Sequence, residues 1–151
     1  MKPELEARLH NKWGTLLGAG RSGGPAYIET GDGWFNLIDS LLATIQSRVD
    51  SQRYLRQPDE PEPFAPVVTQ IKEKWGGLRV YIEGGDDFVW GAIHVAETAS
   101  HKICEICGCP GVKRHSSWVM TLCEKHASPK QGDDTATPTQ IDYEGGSNDR
   151  S

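Results

Sequence analysis

Apolar residues recur along the first two thirds of the chain with two different periods, and the change from one to the other lays out the elements. After Pro3, Leu5, Leu9 and Trp13 fall at helical spacing and Gly14 breaks the regularity, which predicts a short first helix. The glycine-rich segment that follows, RSGGPAYIETGDGW, reads as loop with a short strand at Tyr27–Glu29. From Asp32, read as an N-cap, the positions Trp34, Leu37, Ile38, Leu41, Leu42, Ile45 and Val49 follow the i, i+3, i+4, i+7 rule and predict the strongest helix of the chain.

Past residue 66 the period changes to two. Val67, Thr69 and Ile71 alternate with Lys72 and Lys74, and Leu78, Val80 and Ile82 alternate with Arg79 and Glu83, so two strands are expected to turn at Gly76 and Gly77. That register sets Trp75 opposite Leu78 in the core, where truncating it would cost about 3–5 kcal/mol. It also sets Ile71 opposite Ile82 and Glu73 opposite Val80, an apolar-face position that calls for a bulge or a buried partner. The sequence GGDD then supplies a turn and an N-cap for a helix over about 87–102, burying Val89, Ile93, Ala96, Ser100 and Ile103. A last small hairpin is expected at Val112–His115 and 118–122, turning at Ser116 and Ser117.

Composition adds limits. A chain of 151 residues with 36% hydrophobic content suits a single unit with one modest core. No run approaches a membrane span, and the charged start MKPELEARLH lacks the apolar centre of a signal peptide, so a cytoplasmic protein is expected. The net charge of −5 is concentrated late: residues 128–151 set Lys130 and Arg150 against Asp133, Asp134, Asp142, Glu144 and Asp149. That segment has too few apolar side chains to offset the entropy of ordering it and is expected to be a disordered acidic tail. Residues 57–66, with four prolines and three acids, read as an extended loop.

All four cysteines lie between residues 104 and 123, which changes the picture most. Cys104 and Cys107, followed by Gly108, have the form of a zinc knuckle, and Cys123 and His126 repeat the spacing. Three thiolates and one imidazole would fill a closed tetrahedral zinc site. Knuckle, hairpin and a ligand-bearing short helix come in the order of a treble-clef finger, placed over residues 102–127. Cys109 reads as a spare thiol at the edge of the knuckle.

Other chemistries fit less well. A thioredoxin-like redox pair would follow a strand and open a helix, whereas here a helix precedes the CxxC. A nuclease of the HNH type needs a hairpin histidine and polar helix ligands for a catalytic metal, but His126 is used by zinc and His115 has no partner at suitable spacing. Trp90, His94, Glu97 and His101 form a helical stripe read as a polar face in preference to a second metal site. The segment GAGRSGG lacks the ending of a phosphate-binding loop.

Three ordered motifs, GDGWFNLIDSL (31–41), TQIKEKWGGLRVYIEGG (69–85) and CEICGCPG with WVMTLCEKHA (104–127), resemble a family of small uncharacterised proteins of phages, prophages and bacteria. The resemblance covers residues 27–127. Its members carry GDGW, QIKEKFGGLRFY-like and CEVCG…TLC motifs; they often have cysteines where this chain has Thr30 and Leu42, and phenylalanine where it has Trp75. The resemblance implies a single zinc-stabilised unit and no particular activity.

Together these readings give an α+β protein: one domain over 1–127, with helices and a β-hairpin followed by a C-terminal treble-clef-like finger. The expected function is a non-enzymatic protein-binding module, an accessory such as a regulator or inhibitor of a host defence system. The alternative is nucleic-acid binding through Lys72, Lys74, Arg79, Lys113 and Arg114, because clustered positive charge is what phosphates require. Lys102, His115 and Lys125 extend that set, with Glu105 and Glu124 opposing it. No small-molecule substrate is indicated.

Overall fold

The computed structural model describes residues 1–61, 65–115 and 118–127. The expected acidic tail and the Ser116 and Ser117 turn lie outside the described residues. The elements run α1 (Pro3–Trp13), β1 (Tyr27–Glu29), a 3-10 turn (Asp32–Trp34), α2 (Phe35–Leu55), β2 (Val67–Lys74), β3 (Gly77–Glu83), α3 (Asp87–Ser100), β4 (Val112–His115), β5 (Val119–Leu122) and α4 (Glu124–Ala127). This is an α+β arrangement. Among the described residues no helix is long and apolar enough to cross a membrane.

The helical stripe read from the sequence is the one that packs. Trp34, Ile38, Leu41, Leu42, Ile45 and Val49 are buried on α2 and its leading turn, and Val89, Ile93, Ala96 and Ser100 are buried on α3. Asp86 caps α3, accepting from the Val89 amide at 3.1 Å, while Arg48 and Gln52 of α2 donate to its other oxygen at 2.8 and 3.0 Å. Asp32 is not the cap of α2. Its carboxylate accepts from the Lys2 amide at 2.7 Å, so the turn is tied to the chain entering α1.

Strands β1, β2 and β3 form one sheet in that order, β1 parallel and β3 antiparallel to β2. Its inner face supplies Ile28, Val68, Ile71, Leu78 and Val80 to the core. The open edge of β3 is covered by α3: Ser100 Oγ accepts from the Leu78 amide at 2.8 Å and Glu97 Oε1 from the Val80 amide at 3.1 Å. These bonds close off donors that would otherwise invite another strand. Glu97 and His101 thus serve β3: the His101 ring lies where a Cβ on Gly77 would fall, 2.3 Å from its Cε1.

The β2–β3 turn differs from the expected one by a single residue. Lys74 pairs with Gly77, Glu73 with Leu78 and Ile71 with Val80, so Trp75 and Gly76 form the turn. Both have positive φ, 56° and 75°, as the two central residues of a type I′ turn require. The one irregularity lies between Val68 and Gln70, not at Glu73. Trp75 is therefore 67% exposed and outside the core, contrary to the sequence expectation. Gly76 is held from two sides: its amide donates to Glu73 Oε1 at 2.6 Å, and its carbonyl accepts from Thr121 Oγ1 at 2.6 Å. A bulky side chain in the left-handed region costs of order 1 kcal/mol or more and persists only where its surroundings impose it. These two bonds hold the turn beside Trp75.

Trp75→Asn should leave the fold intact and raise stability by about 0.5–1 kcal/mol, because asparagine is at ease in the first position of this turn. Urea denaturation reads this directly, and a loss of several kcal/mol would show that the indole belongs to the core after all.

Candidate metal centre and tryptophan groove

The backbone after α3 is built to bring four side chains together. Ile103 bridges to Pro110, the Cys104 amide donates to the Cys109 carbonyl at 2.7 Å, and the Gly108 amide donates to the Cys104 carbonyl at 2.8 Å. Gly108 takes φ of 77°, the conformation its place in the knuckle calls for. The antiparallel pair β4–β5 then returns the chain to Cys123, whose carbonyl accepts from the His126 and Ala127 amides as α4 begins.

The ligand atoms of Cys104, Cys107, Cys123 and His126 all lie within 4.8 Å of one another. His126 Nδ1 is 3.5 Å from Cys104 Sγ and 3.3 Å from Cys123 Sγ, and the Cys107 and Cys123 sulfurs are 3.7 Å apart. Sulfurs each ~2.3 Å from a shared tetrahedral ion would sit about 3.8 Å from each other, whereas a disulfide would bring them to ~2.05 Å. The spacing fits a metal, and all four cysteines are free thiols.

Electrostatics agree. Burial pushes the Cys104 thiol up, but amides of Cys123, Cys107 and Ile106 and the His126 ring outweigh it and bring the group down to about 6. The Cys109 amide pulls the Cys107 thiol down and the His126 amide does the same for Cys123, but both are raised: Cys107 by burial and the thiols of Cys109 and Cys104, Cys123 by burial and the thiols of Cys104 and Cys107. Among the described residues this is the one cluster of ligand type brought together; His94, Glu97 and His101 are not.

The centre is seated on the turn before α2. The Gly33 amide donates to the Glu105 carbonyl at 2.7 Å, the Gly31 amide to Glu105 Oε1 at 2.9 Å, and the Trp34 indole to the Ile103 carbonyl at 2.9 Å. A Cβ on Gly33 would lie 2.2 Å from the Cys104 carbonyl oxygen, and one on Gly31 2.3 Å from that of Glu105. The motif GDGW is thus a socket for the knuckle, a role the glycine spacing alone did not reveal. Glu105, expected to oppose the basic residues at the surface, is buried in this contact; burial pushes its carboxyl up, against the pull of the Gly31 amide.

A second feature lies where the two hairpins meet. Lys113 and Val119 pack against Gly76. Beside them an open groove of about 560 Å³ is lined by Lys72, Glu73, Lys74, Trp75, Trp118 and Val119. Both tryptophans are 67% exposed. The expected basic set divides here. Lys72, Lys74 and Lys113 stand at the groove, whereas Arg79 donates to the Leu78 carbonyl and lies 3.8 Å from Glu97, and Arg114 pairs with Glu124. Reading the turn at the paired glycines hid this groove; the signal available was a tryptophan immediately before them.

Comparison with known protein families, curated proteins and solved structures finds no match to this chain.

Gly33→Ala should destabilise by about 2–3 kcal/mol or more, since all three atoms the new methyl meets are backbone of the knuckle; a change under about 0.5 kcal/mol in urea titration would show that the contact gives way easily. Cys123→Ser should lose bound metal and Cys109→Ser should keep it. Elemental analysis of protein purified without chelator separates them, and equal loss in the two variants would overturn the ligand set.

Proposed function

We propose that this protein is a non-enzymatic binding module in which zinc closes the fold and the groove at Trp75 and Trp118 engages a macromolecular partner. Three thiolates and an imidazole suit zinc and leave no position for an activated water, so the ion's role is structural. The order of knuckle, hairpin and ligand-bearing turn supports a treble-clef-type finger. The zinc would be held by Cys104, Cys107, Cys123 and His126.

The observation that carries the reading is Trp75. A large aromatic ring is kept in solvent by a backbone conformation that disfavours it, with Glu73 and Thr121 pinning the turn. Strain retained at an exposed aromatic is the mark of a site and has no use in a core. Two partner classes meet its chemistry. Exposed tryptophans anchor protein interfaces, which supports the protein-binding expectation, and the lysines beside them support nucleic acid. The motif resemblance supports an accessory of phage or mobile-element type and carries no activity of its own; action in the cytoplasm as a regulator or inhibitor of host machinery, including defence systems that handle nucleic acid, is our proposal for it.

The double variant Trp75→Ala/Trp118→Ala should keep its metal and thermal midpoint while losing partners retained from bacterial lysate by the wild-type protein. Equal retention by the two proteins would remove the groove from function.

A further inference from the structure

We propose that the Trp75–Trp118 groove, continued along the solvent face of the three-stranded sheet, binds single-stranded nucleic acid, with bases stacked on its aromatic rings and phosphates held by Lys72, Lys74 and Lys113. The proposal rests on the reading of that groove as the binding face.

The strand register places the parts. Side chains of directly paired residues share a face of a sheet. Tyr27, Gln70 and Tyr81 therefore form one cross-strand row, Glu29, Lys72 and Arg79 the next, and Lys74 opposite Gly77 a third, which leads into the turn that carries Trp75. The face opposite carries Ile28, Ile71 and Val80 into the core, so these rows look outward. Tyr27 and Tyr81 are exposed on them as the two tryptophans are at the tip. Rows lie about 7 Å apart. An unstacked strand, longer per nucleotide than the ~3.4 Å of a stacked helix, can follow them.

Charge is placed to match. Lys72 Nζ stands 4.9 Å from the Tyr81 ring centroid, so a cation lies beside an aromatic face, and the Lys113 side chain lies along Gly76 next to Trp75. The carboxylates nearby are engaged: Glu73 by the Gly76 amide, Glu97 by the Val80 amide, and Glu29 by Gln70 Nε2 at 3.0 Å. Glu29 remains a negative group on the face, which confines the phosphate path to the side of Lys72, Lys74 and Lys113.

The same details weigh against a protein as occupant. Lysine is depleted and arginine enriched at protein interfaces, yet here the lysines ring the tryptophans while Arg79 and Arg114 are paired with Glu97 and Glu124. Stacking on a tryptophan face also requires an unpaired base, so duplex is a poor ligand.

The test is titration of the full chain, metal-loaded, with short oligo(dT) and oligo(U) at low salt, read by quenching of tryptophan fluorescence and by anisotropy of a labelled strand. Expected are saturable binding, weaker binding of duplex of equal length, and a slope of log K against log salt of about −2 from three lysines. Trp75→Ala should weaken binding roughly tenfold or more, and Trp75→Tyr should restore most of it. Lys72→Glu/Lys74→Glu should lower both affinity and salt slope without loss of metal. Absence of binding to either oligonucleotide, equal affinity for duplex, or unchanged affinity in Trp75→Ala/Trp118→Ala overturns the proposal. So does equal quenching by an acidic peptide, which would assign the groove to a protein. If the oligonucleotides fail while lysate capture still depends on the two tryptophans, the binding-module reading stands and this inference falls; if both are lost, the reading falls with it.

Discussion

The contact on which the rest of the molecule depends is the meeting of bare backbone at Gly31 and Gly33 with the chain from Cys104 to Gly108. Two amides and an indole on one side meet two carbonyls and a carboxylate on the other. Neither partner tolerates a side chain at the closest points. The C-terminal hairpin has little core of its own: β4 is exposed or half-buried throughout, and Thr121 is the one buried residue of β5. Its position is fixed by this socket, by the clustered side chains of Cys104, Cys107, Cys123 and His126, and by Thr121, whose carbonyl accepts from the Glu105 amide while its hydroxyl reaches Gly76. One residue therefore joins the turn after α3, the C-terminal hairpin and the sheet.

The elements dominated by a long apolar period were legible in the sequence. Helices α2 and α3 bury the residues their spacing indicates, because burial of a stripe decides both helix and orientation. The four ligand residues were legible for a different reason, since coordination chemistry dictates both residue type and interval. What was misread turned on single residues. Paired glycines look like the centre of a turn, yet Gly77 is small because His101 covers it, and Trp75 takes the turn position that asparagine would ordinarily fill. Moving the turn back by one residue shifts the pairing yet leaves Ile71, Leu78 and Val80 facing the core; it takes Trp75 out of the strand and into the turn, from core to surface. Asp32 likewise has the composition of a cap, but a 3-10 turn intervenes and its carboxylate serves Lys2 instead.

The candidate site was half legible. Lysines and arginines that look equivalent in sequence separate once neighbours are known: Arg79 and Arg114 are neutralised by glutamates brought in from α3 and α4, whereas Lys72, Lys74 and Lys113 gather at the hairpin tip. Pairing of this kind arises between different elements, and no helix or strand period carries it. The helix stripe of His94, Glu97 and His101 shows the same thing in reverse: two of its members are spent on the edge and turn of β3.

The socket and its occupant are far apart in the chain, 74 residues between Gly31 and Glu105 and 69 between Trp34 and Ile103. On the ribosome the socket is complete long before the residues that fill it emerge, and the last ligand, His126, comes later still. Helix α2 must wait through that interval with Trp34 unpaired at its indole and the glycine amides facing water. Closure of so long a loop is slow compared with forming local hairpins, so seating of residues 103–108 in the socket comes late. Until then the nascent chain displays unpaired backbone donors at residues 31–33, a surface suited to engagement by chaperones or to early removal by proteases.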